Sequence, residues 1–307
     1  MSEERNVCVQ LEERIGFGNY AEVYRAILID TDETVVVKIP IFSEKDASKI
    51  PDRIKELELT YKVFSSFQHL NIVRHLYHQH TLDRVSSETT DALIEMPKFQ
   101  IIMEYCSGGN LSDYVARNNL SPPLLQRWIS QLLNGLTYLH DKKIVHRDIK
   151  GANVFLSNTS PETCNLKIGD IGDVKQIKEE RTGTNEVSGE HGTCRFMSPE
   201  MLRVEVANVG RRTDIWSLGC VIIQMITGNI PLFHRGDNLL SSEVSIHYFI
   251  MDGGSPTIPT DLPPVLDNFI RQCLTWEADK RPRSRDLHGD PLLSATNAAE
   301  WRLPRKS

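Results

Sequence analysis

The densest group of reactive side chains lies in His146-Arg147-Asp148-Ile149-Lys150-Gly151-Ala152-Asn153. A carboxylate, a cation two residues on and an amide five residues on form a set able to accept a proton, neutralise a phosphate and hold a metal. The plain reading of the same run is a polar surface loop between a helix and a strand. Asp170, in Leu166-Lys167-Ile168-Gly169-Asp170-Ile171-Gly172, ends an apolar strand and suits a hard cation, although Asp-x-Gly is also an ordinary turn. Upstream, Gly16 and Gly18 in Ile15-Gly16-Phe17-Gly18-Asn19-Tyr20-Ala21-Glu22-Val23 let a backbone approach phosphate oxygens closely. Gly-x-Gly turns also join strands. A dinucleotide fingerprint requires a helix after the glycines, whereas Ala21 to Ala26 reads as the second strand of a hairpin. Lys38 sits inside an apolar strand; its ammonium needs an anion there, unless the strand is an edge from which it reaches solvent.

These groups must be held by two kinds of element. Val35-Val36-Val37-Lys38-Ile39, bounded by Pro40, predicts a buried strand. Ile50, Ile54, Leu57, Tyr61 and Phe64 recur at helical spacing, with Pro51 in the first turn. Ile72-Val73 and Phe99 to Met103 read as further strands, and Thr81 to Pro97 as a polar loop insertion. His75, His78 and His80 read as surface histidines of a strand and loop rather than a metal site. Beyond Ser107-Gly108-Gly109-Asn110 the chain turns helix-rich, with dense apolar periodicity over 124–139 and 215–226.

Composition bounds the classes. The chain has 307 residues, 40% hydrophobic and 25% charged, enough for one large domain with two lobes. A net charge of -6 gives no basic footprint for nucleic acid. The longest apolar run is far shorter than the ~20 residues that span a bilayer. Met1 to Gln10 lacks the apolar core of a secretory signal, and six scattered cysteines imply reduced thiols, so the expected location is cytoplasmic, with no membrane partner.

In order along the chain, the glycine loop, strand lysine, His-Arg-Asp run, Asp-x-Gly turn and Met197-Ser198-Pro199-Glu200 resemble the signature set of the eukaryotic protein kinase family. The resemblance implies an α+β, bilobal protein-kinase fold over residues 10–295, with a 296–307 tail. It places a small β-rich N-lobe with one main helix at about 10–105, a hinge at about 104–110, and a larger, mostly α-helical C-lobe at about 111–295. It implies ATP and Mg²⁺ as cofactors. Ile15, Gly16, Gly18 and Val23 would line the nucleotide, Lys38 would hold its α- and β-phosphates, and Met103, Glu104 and Cys106 would form the gatekeeper and hinge. Asp148 would accept the substrate proton and Lys150 steady the phosphate, while Asn153 and Asp170 would hold the metal. Glu200 is expected to pair with Arg281, and Asp214 to brace the catalytic loop.

Some positions depart from the pattern. Ala21 replaces the third glycine, Ile171 the Phe of D-F-G and Ser198 the Ala of A-P-E, and Asn158 to Cys164 is an extra loop. Counting back from His69-Leu70-Asn71-Ile72-Val73 puts Thr60 where the family carries the glutamate that pairs with the strand lysine. Glu56 lies one turn earlier and is the expected partner; Glu58 requires a two-residue insertion.

Lys150 after Asp148 and Gly192-Thr193 before the Met-Ser-Pro-Glu run resemble Ser/Thr kinases. HRDIKGANVFL, GRRTDIWSLGCVIIQMITG and MEYCSGGNL are most similar to the MAP kinase kinase kinase branch. That likeness implies a MAP kinase kinase as protein substrate, and an upstream kinase or activating partner acting at Thr182, Thr184 or Ser188 through Arg147. The alternative is a pseudokinase that binds nucleotide and partners without phosphoryl transfer.

Overall fold

The computed structural model describes residues 7–18, 21–42, 50–86, 93–170, 175–176, 194–203 and 209–304. The chain divides into two compact units: one runs to His69 and resumes over Val73–Tyr105, and the other takes Leu70–Ile72 and everything from Cys106 on.

The first unit is one antiparallel sheet and one helix. Strands β1 (Val9–Phe17), β2 (Ala21–Leu28), β3 (Glu33–Pro40), β4 (His75–Ser86) and β5 (Leu93–Glu104) lie in the order β1-β2-β3-β5-β4, and α1 (Ile50–Phe64) joins β3 to β4. Alternation in β3 sends Val35, Val37 and Ile39 into a core with Ala26, Leu28 and Ile102. The other face meets α1: the Tyr61 ring lies 6.0 Å from Phe99 and 5.3 Å from His75.

Three expectations are corrected here. The segment read as a loop insertion is strand up to Ser86 and again from Leu93, paired in register from Thr81↔Lys98 to Ser86↔Leu93. Pro97 falls where β5 has only β4 beside it, an edge position that a residue without an N–H tolerates. Ile72-Val73 is no strand; Ile72 makes a single bridge to Ile168. His75 is core, not surface, at 5% exposure between Tyr61 and Phe64.

The second unit is mostly helical. Its elements are α2 (Leu111–Arg117), α3 (Pro122–Asp141), β6 (Ile144–Val145), β7 (Val154–Leu156), β8 (Leu166–Ile168), β9 (Lys175–Gln176), α4 (Pro199–Leu202), α5 (Arg211–Thr227), β10 (His234–Arg235), β11 (Asn238–Leu239), α6 (Glu243–Met251), α7 (Pro264–Cys273), α8 (Ser284–Leu287) and α9 (Pro291–Ser294). Asn110 caps α2 by accepting the Asp113 N–H at 2.9 Å. Gly228, at φ 75°, closes α5 in the left-handed region that glycine adopts without strain. Every residue of α5 from Thr213 to Ile226 is buried, so the helix is the axis of the unit rather than an amphipathic surface helix. The extra loop between β7 and β8 is tied down. Cys164 is buried, Asn158 accepts the Ser160 N–H at 2.9 Å, and Arg127 of α3 donates to the carbonyls of Pro161 and Glu162. Among the described residues no helix is long and apolar enough to cross a membrane.

One buried ion pair closes the far side of this unit. Arg281, fully buried, forks onto Glu200 of α4 at 2.7 and 3.2 Å and also donates to the carbonyls of Arg212, Thr275 and Trp276. Burial alone raises the Glu200 carboxyl, but the Arg281 hydrogen bonds and charge, with help from the Thr213 hydroxyl, hold it below the usual range. Arg281→Met therefore strands a buried carboxylate and should cost about 3–5 kcal/mol in denaturant unfolding. Because the folded pKa of Glu200 is depressed, the unfolded chain binds the extra proton. The pair's contribution is thus present above the ordinary carboxylate range of about pH 4 and lost as pH falls through the folded value. Acid titration of wild type should show this loss, and Glu200→Gln should flatten it.

Candidate active site

The second unit brings the central residues together on one short loop. β6 ends at Val145, and the chain passes through Arg147 at φ 69° before Asp148, a left-handed turn that a non-glycine residue adopts only where surroundings impose it. Asp214, in the first turn of α5 and fully buried, imposes it. Its Oδ2 accepts the His146 N–H at 2.9 Å and its Oδ1 the Arg147 N–H at 2.8 Å. His140, at the end of α3, donates from Nε2 to Oδ2 at 2.8 Å, and its Nδ1 lies 3.0 Å from the Ser284 hydroxyl. Burial alone raises the Asp214 carboxyl; the hydrogen bond and charge of His140, and those of the loop, overcome it and hold the group ionised. His146 turns inward, donating from Nε2 to the Gly169 carbonyl at 2.8 Å, which ties the loop to the residue before Asp170.

On this frame Asp148 is half-exposed and engaged from two sides. Lys150 Nζ lies 2.9 Å from its Oδ2, and Asn153 donates from Nδ2 to both the Asp148 carbonyl and Oδ2, each at 2.9 Å. Both donations come from the amide nitrogen, which leaves Asn153 Oδ1 as the oxygen to face a cation. The Asn153 carbonyl in turn accepts the Gly169 N–H at 2.9 Å, so Asp170 starts beside it. Asp170 is exposed, at φ 55°. Two hard oxygen donors on adjoining strand ends suit Mg²⁺ chemistry. Gly151 has no room for a Cβ, which would collide with Gln224 and Ser112, so the loop packs directly on α5 and α2. Ile171, Thr182, Thr184, Ser188, Gly192 and Thr193 lie outside the described residues.

In the first unit, sheet register aligns four of the expected nucleotide residues on one face. Gly16 pairs with Val23, Val23 with Lys38, and Lys38 with Ile101, making a row across β1, β2, β3 and β5. Val36 and its partner Met103 fall on the same face, which is the side of Phe99 and α1. A Cβ on Gly16 would stand 3.3 Å from that of Val23, so a side chain there would crowd the row. Ile15 is 47% exposed at the glycine turn, and the Gly18 N–H donates to the Ala21 carbonyl at 3.0 Å. Glu104 and Arg74 bond reciprocally: the Glu104 N–H donates to the Arg74 carbonyl at 3.0 Å, and Glu104 Oε1 accepts the Arg74 N–H at 2.7 Å. Cys106, in the second unit, is buried, and its carbonyl accepts the Gly109 N–H.

The carboxylates of α1 are engaged elsewhere than at the strand lysine. Glu56, the expected partner, is 66% exposed and pairs with Arg53 at 2.7 Å. Glu58 lies nearer the buried stripe and pairs with His80 Nδ1 at 3.1 Å. Thr60 donates its hydroxyl to the Glu56 carbonyl at 2.8 Å. Leu57, Tyr61 and Phe64 set the phase of the helix, and at about 100° per residue Glu56 and Glu58 fall on opposite flanks of that stripe. Sequence reasoning missed His140 altogether; a lone histidine at a helix end carries no signal until its fold partner is known.

Residues 9–293 match the family model described as protein kinase domain. The chain belongs to the protein kinase family. The chain is similar to several curated kinases over most of its length. It is 34% identical to human mitogen-activated protein kinase kinase kinase 4 over 88% of its length, and 29% identical to human mitogen-activated protein kinase kinase kinase 1 over 92%. It is also 29% identical to mitogen-activated protein kinase kinase kinase 3 of Arabidopsis thaliana over 96%. It spans 15%, 18% and 42% of those relatives' own lengths. The kinase fold thus frames the loop geometry described here, in which a buried carboxylate positions an exposed one.

Asp214→Ala leaves the His146 and Arg147 amides without their acceptor inside the unit. At ~1–3 kcal/mol for each buried polar group stranded, the unit should lose several kcal/mol of stability. Hydrogen exchange at those two amides should accelerate by more than the global change, and uniform acceleration throughout the unit would count against a local brace.

Proposed function

We propose that the chain is a protein serine/threonine kinase. It transfers the γ-phosphate of ATP to a Ser or Thr hydroxyl of a protein, and a MAP kinase kinase is the acceptor class that the relatives' names suggest. The observation that carries this reading is the Asp148 carboxylate, half-exposed, flanked by Lys150 and Asn153, and borne on a loop fixed by buried Asp214. Asp148 takes the acceptor's proton as its oxygen bonds to the γ-phosphorus. The bond from that phosphorus to the β–γ bridging oxygen breaks, and ADP leaves. Lys150 keeps a cation beside the reacting oxygens, and Lys38 holds the α- and β-phosphates. Bound Mg²⁺ would supply neutralisation of phosphate charge, held by Asn153 Oδ1 and the Asp170 carboxylate. Ile15, Gly16, Gly18, Val23 and Met103 line the nucleotide. With the Glu104 N–H committed to Arg74, the adenine amino group meets the Glu104 carbonyl, and Cys106 supplies the second backbone contact.

A second reading, a nucleotide-binding pseudokinase, is favoured by one observation: both candidate glutamates of α1 are paired with Arg53 and His80. Labelled ATP, Mg²⁺ and a catalytically inactive MAP kinase kinase separate the two. The kinase reading expects label on Ser or Thr, falling about 10²–10⁴-fold in Asp148→Asn, the usual worth of a positioned base. Thermal stabilisation by Mg–ATP without any transfer would replace it with the pseudokinase.

A further inference from the structure

The 3-10 turn Cys194–Phe196, just before α4, is bound more tightly than the roles already assigned to its neighbours require. Arg195 is 7% exposed, and each of its three guanidinium nitrogens donates a hydrogen bond. Nε donates to Glu243 Oε1 at 2.9 Å, Nη1 to the Pro231 carbonyl at 3.1 Å and Nη2 to the Ser241 carbonyl at 3.2 Å. Cys194 donates its thiol to the other Glu243 oxygen. Burial first, then that hydrogen bond, pushes the thiol up to about 12, so it stays a donor. One carboxylate at the start of α6 thus grips two consecutive residues of the turn. A lysine in place of Arg195 has a single nitrogen and cannot reach three acceptors in fork geometry.

The opposite side of the same segment is bound to α5. Ser217 donates to the Phe196 carbonyl at 2.8 Å, and Thr213 donates to Glu200 at 2.9 Å, from the helix turns that also carry Asp214. Segment 194–200, of which Cys194 and Met197 are partly exposed, therefore shares a rigid frame with Asp148, and a rigid frame is what lets an acceptor hydroxyl arrive in register.

We propose that Arg195 and Glu243 are positioning residues that clamp segment 194–200 to α6 and so set how tightly a protein acceptor is held. This rests on the kinase reading. The test is steady-state kinetics of the full chain, with a catalytically inactive MAP kinase kinase as acceptor, for wild type, Arg195→Met, Arg195→Lys, Glu243→Gln and the Met/Gln double variant. Arg195→Met should raise the acceptor KM about tenfold more than the ATP KM, a typical effect of losing a buried charge-assisted contact. Arg195→Lys should rescue only part of it, Glu243→Gln should move the same ratio, and the double variant should be less than additive. A folded Arg195→Met with an unchanged ratio overturns the clamp, as do acceptor and ATP KM rising together. If Arg195→Met does not fold, Glu243→Gln decides by the same criterion. Transfer by wild type with flat ratios removes the clamp alone, whereas no transfer by wild type removes the kinase reading and the clamp with it.

Discussion

A carboxylate with no access to solvent holds the loop that carries the candidate general base. Asp214 accepts two consecutive backbone N–H groups and the His140 ring. Removing such a charge from water is costly, and these three hydrogen bonds offset it. The left-handed turn at Arg147 follows, since both amides can point at one side chain only if the chain reverses there. Asp148 is then delivered to the exposed side of the turn, with Lys150 and Asn153 arriving two and five residues later. The exposed group does the proposed chemistry, and the buried one keeps it in place.

The same helix turns organise more than the loop. Thr213, Asp214 and Ser217 of α5 reach, respectively, Glu200, the loop that carries Asp148 and the Phe196 carbonyl. Glu200 continues to Arg281, and Gly151 packs where a side chain would meet Gln224. A helix buried on all sides is usually a matter of core volume alone. Here a few polar residues at its start give segments distant in sequence one common origin. The rest of α5, largely apolar from Leu218 to Ile226, makes that origin hard to displace.

Much of this was legible in the residues. The β-branched run around Lys38 is strand β3, and its alternation alone puts Lys38 opposite the core face. The order of glycines, lysine, aspartates and Asn153 identified the family, because each motif is local and its spacing survives in the chain. What escaped was set by phase or by distance. Glu56 was chosen by counting, while the helix phased by Leu57, Tyr61 and Phe64 leaves Glu56 and Glu58 on opposite flanks, where Glu56 pairs with Arg53 and Glu58 with His80. The ribbon of β4 and β5 looked like a loop because its run of polar residues hides the alternation by which a strand is read. Arg195 and Glu243 lie 48 residues apart and His140 and Asp214 74 apart, and no local pattern announces such contacts.

The account stands on the claim that buried Asp214 sets the geometry of the reacting loop. The direct measurement is single-turnover phosphate transfer, at saturating Mg–ATP and acceptor, by Asp214→Asn. The amide keeps the shape but turns an N–H₂ toward an N–H that needs an acceptor. A misplacement of that kind should slow the transfer step about a hundredfold while nucleotide still binds. A folded Asp214→Asn chain transferring phosphate at the wild-type rate would contradict the account.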